Sequence, residues 1–225
     1  MKILAPLRSA DEVLPLAEAG AGEFYCGVTP PGWEAAFGQA SVHRRSARSA
    51  GVSGLDELRQ IVALAGDAPV FATLNAPSYP AGAIPRLVDF GRMLVEEKLA
   101  SSAAVDTAEL ELIIALGDAG LAGRVHVSSL ATCRNPGAAA FYRSLGVSRV
   151  ILPRHMTLAE IEQTAIPGLE WEAFLLNDGC AFEEGTCSTT HAFRPFCMDD
   201  RVGDGTRLDE RYAFWRWTLD NCGSR

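Results

Sequence analysis

The chain has 225 residues, 48% of them hydrophobic and 21% charged, with a net charge of −8 from 20 basic and 28 acidic side chains. This composition excludes a disordered chain, disfavours broad electrostatic binding to nucleic acid, and suits one domain with a sizeable core. No apolar run approaches the ~20 residues of a membrane-spanning helix, and Met1–Pro6 is too short for a signal-peptide core, so we expect a cytoplasmic protein without a membrane span.

Residues 1–177 alternate between two kinds of segment. Short apolar, β-branched or aromatic runs predict seven strands: Lys2–Pro6, Glu23–Val28, Pro69–Asn75, Ser102–Asp106, Arg124–Ser128, Arg149–Pro153 and Glu170–Leu176. The stretches between them have helical spacing: Asp11–Ala19, Leu55–Ala65, Ile84–Leu99, Ala108–Leu116, Gly137–Leu145 and Leu158–Thr164. Strands that alternate with helices are typical of βα units around a parallel sheet.

Two architectures fit this alternation. A doubly wound sheet usually has a glycine-rich first turn, but the first strand here leads into Leu7–Ser9, which has no phosphate-binding fingerprint. A (β/α) barrel fits better, because the predicted strands end in polar or otherwise distinctive residues and barrel active sites lie at that end. We therefore predict one TIM-barrel-like α/β domain over residues 1–225. It lacks the eighth strand, being naturally shortened, a fragment, or completed by a partner.

The remaining residues, 178–225, form a cysteine-rich loop after strand seven and a C-terminal helix over Leu208–Asn221. Four of the six cysteines lie here: Cys180, Cys187, Cys197 and Cys222. Four thiolates suit a [4Fe–4S] cluster or an all-cysteine zinc site. No Cys-x-x-Cys pair is present, and zinc sites commonly use that pair, so the spacing favours the cluster. Zinc held by three cysteines with His191, and a set of unrelated buried thiols, are the alternatives.

Polar side chains at the strand ends form the candidate site. The candidate catalytic residues are Asn75, Asp106, His126 and Arg154, and the candidate substrate-binding residues are Tyr25, Arg44, Arg45 and Ser128. At a barrel mouth Asp106 can bind substrate, His126 can act as a general base and Arg154 can bind a carboxylate bidentately. Each has a structural alternative: a loop cap, a satisfied core histidine and a surface ion pair, respectively. The two neighbouring arginines suit an anion such as a dicarboxylate or an RNA phosphate, but a solvated loop explains them equally well.

Several segments resemble one known family, in the same order along the chain. Leu176–Cys187, in which an apolar strand runs into a Cys-x6-Cys pair, is similar to the signature of the U32 family, historically called peptidase U32. The other matching segments are Pro69–Asn75 with its terminal Thr-Leu-Asn, Arg124–Ser128 followed by Asn135, Val150–Ile161, and Arg44–Arg45 followed by Leu55–Leu58. The resemblance covers essentially the whole chain.

The resemblance implies a TIM-barrel-like catalytic domain with a [4Fe–4S] cluster on Cys180, Cys187, Cys197 and Cys222, with zinc as the alternative metal. It also implies oxygen-independent hydroxylation, as in the iron–sulfur proteins that act on ubiquinone precursors or RNA bases. We therefore expect an iron–sulfur-dependent enzyme or enzyme subunit that acts on a small aromatic or quinone-like molecule, while the acidic charge disfavours RNA.

Two other functions stay open. One is a U32-type peptidase, although the sequence has no His-Glu-x-x-His or Gly-x-Ser-x-Gly motif. The other is a non-catalytic, cluster-bearing subunit in a hetero-oligomer with a second U32-like protein. The sequence also departs from the family in two places. The strand with a Lys-x-x-Gly-Arg pattern that usually follows the fourth cysteine is not found, and His155 stands where many members have an acidic residue.

Overall fold

The computed structural model describes residues 1–43, 51–76, 78–99, 105–107 and 109–176. Of residues 105 and 106 it describes the backbone only. Seven strands in this part form one sheet: β1 (Leu4–Leu7), β2 (Glu23–Gly27), β3 (Val70–Thr73), β4 (Val105–Thr107), β5 (Val125–Val127), β6 (Arg149–Ile151) and β7 (Glu170–Glu172). Seven helices accompany them: α1 (Val13–Glu18), α2 (Trp33–Phe37), α3 (Leu55–Ala65), α4 (Ala83–Glu96), α5 (Leu110–Asp118), α6 (Pro136–Ser144) and α7 (Leu158–Thr164).

The strands lie side by side in chain order, and each is parallel to its neighbour. This order excludes a doubly wound sheet, in which the strand order reverses at a switch point. All seven predicted strands are found where the sequence predicts them, and α3 and α7 have their predicted bounds. The predicted α/β domain with a parallel sheet is therefore confirmed. Among the described helices, none has the length and apolar character to cross a membrane.

Strands β2, β3, β5 and β6 are largely buried, whereas β1 and β7 have exposed residues, and burial on both faces explains why the sequences of the inner strands show little alternation. All four residues of β3 are buried, and so are four of the five in β2. Helices cover the outer face with fully buried side chains such as Leu58 and Ile61 of α3 and Leu87 and Leu94 of α4. The core therefore consists of a central parallel sheet and a layer of amphipathic helices.

A buried ion pair joins two strands that are distant in the sheet. The Nη1 atom of Arg149, the first residue of β6, donates to Oε2 of Glu23, the first residue of β2, at 2.8 Å. In a flat sheet these strands would lie ~19 Å apart, farther than the two side chains can span together. The sheet is therefore strongly curved. Within the described residues β1 pairs with β2 alone and β7 with β6 alone, so a closed TIM barrel is not confirmed.

Three more charged groups complete this ion cluster, which consists of Lys2, Glu23, Arg149, Glu170 and Glu172. Arg149 also donates to Glu170 at 2.8 Å and to Glu172 at 3.3 Å, and the Lys2 ammonium lies 3.0 Å from Glu23. Burial alone would raise the pKa of Glu23, but hydrogen bonds from Arg149 and Lys2 bring it below its ordinary value. Burial raises the pKa of Glu172 against the opposing charge of Arg149. The carboxylates of the cluster thus surround the Arg149 side chain, which is only 11% exposed.

The cluster is centred on the amino ends of the strands, where Glu23, Arg149 and Glu170 each begin a strand, and it extends to Glu172 at the end of the three-residue β7. Active sites of parallel α/β folds lie at the opposite, carboxyl ends. We therefore interpret the ion cluster as a structural device that fixes the curvature of the sheet.

This interpretation predicts unequal effects for two neighbouring carboxylates. Glu23→Gln should lower the free energy of unfolding by about 3 kcal/mol, because it removes the buried partner of a buried arginine. Glu170→Gln is the matched control, since that side chain is 66% exposed, and it should cost less than about 1 kcal/mol. Urea unfolding of both variants measures the difference. Equal losses would show that Glu23 has no special role in the sheet.

Candidate functional site

The carboxyl ends of β1, β2 and β3 surround a small cleft that is open to solvent. Its lining residues are Pro6, Leu7, Tyr25, Cys26, Gly27, His43, Thr73 and Asn75. This is the edge of a parallel sheet at which ligands bind. Two residues that the sequence predicts for the site, Tyr25 and Asn75, meet in this cleft, and His43 joins them.

The register of the three strands places these residues at one level. Leu7 pairs with Cys26, Cys26 with Ala72, and Gly27 with Thr73. The Thr73 hydroxyl donates to the carbonyl oxygen of Cys26 at 3.3 Å, which ties β3 to β2 beneath the cleft. The polar side chains of the described lining are amide, hydroxyl, thiol and imidazole groups, without a carboxylate, ammonium or guanidinium. The described part of the lining is therefore polar but uncharged.

His43 is buried in the wall of the cleft, with 6% of its surface exposed. Its imidazole lies against Gly27, the last residue of β2, and against Gly51, and these two glycines form an isolated parallel bridge. A Cβ atom at Gly27 would lie 2.4 Å from His43 Nε2, and one at Gly51 would lie 2.8 Å from it. No side chain fits at either position while the ring is in place.

Tyr79 fixes the segment that carries His43. The Tyr79 hydroxyl accepts from the amide of Ala76, and its proton is shared between the carbonyl oxygens of Leu74 and Val42. The Ala76 amide also donates to the Val42 carbonyl at 3.0 Å. These bonds hold the residue before His43 against the chain that leaves β3, so that His43 and Asn75 share one cleft.

The Tyr79 bridge predicts a local effect. Tyr79→Phe should destabilise the protein by about 1–2 kcal/mol and speed hydrogen exchange at the amide of Ala76, because backbone groups lose their hydroxyl partner. The matched control is Tyr142→Phe, which removes a hydroxyl that donates to the carbonyl of Ala131 at 3.1 Å in another part of the fold. The control should leave exchange at Ala76 unchanged. Unchanged exchange in Tyr79→Phe itself would contradict the bridge.

The two described cysteines, Cys26 and Cys133, are free buried thiols. Burial raises the pKa of the Cys26 thiol to about 12 and that of the Cys133 thiol to about 11, so both remain protonated. The described residues contain no cluster of three or more His, Cys, Asp or Glu side chains that could hold a metal ion. The predicted ligands Cys180, Cys187, Cys197 and Cys222, the alternative ligand His191, and the predicted substrate-binding residues Arg44 and Arg45 lie outside the described residues.

His126 lies in the middle of β5 rather than at its end. It is 6% exposed, and its ring packs edge-on against Phe71 with 4.7 Å between the ring centres. Burial, followed by the nearby charge of Arg149, lowers the pKa of His126 to about 3, so its imidazole stays neutral. Such a residue suits packing against the ion cluster, and its proposed role as a general base stays a prediction.

Three further predicted site residues, Ser128, Arg154 and Asp106, lie in or after other strands. Ser128 is buried after β5, and its amide donates to the carbonyl of Thr107 at 2.9 Å. The Arg154 guanidinium lies 5.4 Å from the centre of the Phe174 ring. The backbone of Asp106 pairs in register with Thr73 and His126. Their roles in substrate binding or catalysis stay predictions.

The lowered pKa of His126 predicts how stability depends on pH. An unfolded histidine takes up a proton near its ordinary pKa of ~6.5, whereas folded His126 does so near 3, so stability falls as pH falls below ~6.5. Between pH ~7.5 and ~5 the protein should lose about 2 kcal/mol that a His126→Gln variant keeps. Urea unfolding across this range measures both slopes. Parallel slopes would show that His126 titrates normally in the folded protein.

Comparison with known proteins decides the family. The sequence profile described as peptidase family U32 matches residues 8–202, which include β2 to β7. The chain belongs to this family. The U32 match also reaches three of the four clustered cysteines, Cys180, Cys187 and Cys197. Among curated proteins, none matches the chain in sequence.

A solved structure of a U32 peptidase, Mk0906, has the same fold. It superposes with a TM-score of 0.59 over 96% of this chain and 83% of its own, at 14% sequence identity. At this identity the likeness shows the fold alone. The profile match over residues 8–202 confirms the U32 family that the sequence motifs predicted.

Sequence reasoning missed His43 and Tyr79 as site residues. His43 begins the basic stretch 43–48 and reads there as one more surface residue. One signal could have been used: Gly27 interrupts the end of an otherwise strand-like run, and glycine in a strand often marks a close approach by another group.

Proposed function

We propose that this U32 protein is an iron–sulfur-dependent enzyme, or a subunit of one, that hydroxylates a small aromatic or quinone-like molecule without molecular oxygen. The proposal is supported by the place where the chain leaves the sheet, which is the same edge that carries the cleft. Strand β7 ends at Glu172, on the carboxyl edge that also carries the cleft, and the cysteine-rich sequence follows soon afterwards. A cofactor bound after β7 would face the same side of the sheet as the cleft.

The donor set supports an iron–sulfur cluster. Of the six cysteines, Cys26 and Cys133 are buried, and neither belongs to a group of three or more metal-binding side chains among the described residues. The other four are Cys180, Cys187, Cys197 and Cys222, the number that a [4Fe–4S] cluster requires. When bound, such a cluster supplies one-electron chemistry at a potential set by its protein surroundings. Zinc on the same thiolates is the alternative.

The cleft supports a small uncharged substrate. The Asn75 amide and the Tyr25 hydroxyl can each donate to or accept from a carbonyl or hydroxyl oxygen. Pro6 and Leu7 supply an apolar wall of the kind that binds rings. None of the described lining residues carries a positive charge that would bind a phosphate, and the net charge of −8 also disfavours RNA.

The curvature of the sheet supports an incomplete (β/α) barrel. The Arg149–Glu23 pair connects β6 to β2 across the concave face, while β1 and β7 are the edges of the described sheet. At these edges of the described sheet a second U32-like protein would pair in the other alternative, a subunit of a hetero-oligomer.

The name of the structural neighbour favours a peptidase as the other candidate. The described cleft does contain one cysteine and one histidine, Cys26 and His43. A cysteine peptidase needs a thiol with a lowered pKa, whereas burial raises that of Cys26 to about 12. We therefore prefer the iron–sulfur enzyme.

Anaerobic purification tests the proposal. The protein should contain about four irons and four acid-labile sulfides per chain, and Cys187→Ala should lose both because one of four ligands is removed. Cys133→Ala is the matched control, since its thiol is buried and protonated, and it should keep its iron and sulfide.

Two results would contradict the proposal. Zinc in place of iron would identify a structural zinc site. Cleavage of casein or gelatin by the iron-free protein would identify a peptidase.

A further inference from the structure

We propose that His43 is the group of the cleft that contacts the substrate and exchanges a proton with it, and that Gly27 and Gly51 form the slot that holds its imidazole in place. The inference rests on the proposed function for the reaction that it serves. It names the substrate as a small uncharged molecule whose hydroxyl or carbonyl oxygen meets the imidazole.

Gly27 and Gly51 both lie against the ring of His43. Many glycines of this chain, such as Gly20 and Gly66, have a positive φ that other residues rarely adopt. Gly27 and Gly51 do not have a positive φ, so their backbone conformation is open to other residues. At both positions a Cβ atom would clash with the ring of His43, and this clash explains why glycine is present. Two positions from separate segments therefore accommodate this one imidazole.

The imidazole is also anchored from its own segment. The Ser41 hydroxyl donates to the His43 carbonyl and accepts from the His43 amide, both at 3.1 Å. The preceding carbonyl, of Val42, is held by Tyr79 and by the amide of Ala76. A histidine fixed at its backbone and enclosed at its ring loses little freedom when a ligand binds. This preorganisation is what a substrate-contacting group requires.

Chemistry separates His43 from the other groups that line the cleft. An imidazole nitrogen can accept a proton and return it, whereas the amide of Asn75 and the hydroxyl of Thr73 are far weaker bases. A substrate hydroxyl can give its proton to an imidazole nitrogen: the O–H bond breaks, an N–H bond forms, and the electron pair stays on oxygen. The same nitrogen returns the proton afterwards. With a carbonyl substrate, the N–H group donates a hydrogen bond instead.

Histidine NMR on the whole chain tests the inference. The chain has four histidines, so the ring signal of His43 is assigned by its loss in His43→Gln. The probes are phenol, acetate and methylammonium at about pH 8, where ordinary imidazoles are neutral. Phenol should shift the His43 signal saturably, and the two ions should not. Asn75→Ala should weaken the phenol response.

The slot is tested by a pair of glycine variants. Gly27→Ala should displace the ring, move the His43 signal and weaken phenol binding by about tenfold or more. Gly22→Ala is the matched control, because Gly22 has no positive φ and a Cβ there would meet nothing within 4 Å. Gly22→Ala should leave the His43 signal and the affinity for phenol unchanged. If Gly27→Ala does not fold, His43→Gln and Asn75→Ala carry the test.

Two outcomes would overturn the inference: phenol shifts no His43 signal, or it binds Gly27→Ala and His43→Gln as tightly as the unaltered chain. Iron and sulfide are measured on the same samples. A phenol response without a cluster would overturn the iron–sulfur function alone. A full cluster without a phenol response would overturn the assignment of His43 alone.

Discussion

The contact between Arg149 and Glu23 sets the shape on which the rest of the molecule depends. Burying an arginine and a carboxylate costs several kcal/mol per ion, and the attraction offsets this cost only when the groups meet in good geometry. Here Arg149 reaches carboxylates of β2 and β7, so its hydrogen bonds form only when the sheet is curved. The pair thus specifies a strand arrangement that apolar contacts alone would leave less well defined.

The curvature gives the two edges of the sheet different characters. Charged residues occupy the amino edge, where Arg149 also lies 5.1 Å from the ring of Phe71 and helps to keep His126 neutral. The carboxyl edge of β1 to β3 carries uncharged polar groups and a cleft. This separation is typical of parallel α/β folds, in which one edge supports stability and the other binds ligands. It makes the neutral cleft, rather than the buried ions, the candidate site.

The sequence was a good guide to the strands and to part of the site, for definite physical reasons. Buried parallel strands are short apolar runs, and the side chain at the end of such a run points to the ligand-binding edge, which is how Tyr25 and Asn75 were found. His43 escaped this rule because it lies in a connection, and its burial depends on glycines at positions 27 and 51 of separate segments. The Arg149–Glu23 pair spans 126 residues, a separation over which local patterns carry no information.

The same curvature bears on how a cofactor and a substrate would meet. Strand β7 is hydrogen-bonded to β6, and β6 is tied through Arg149 to β2, the strand that contributes Tyr25, Cys26 and Gly27 to the cleft. The end of β7 therefore approaches the cleft more closely than its place six strands from β1 would suggest. The residues that follow β7, among them the four cysteines proposed as cluster ligands, therefore continue from a strand end that the Arg149–Glu23 contact draws toward the side of the sheet that carries the cleft.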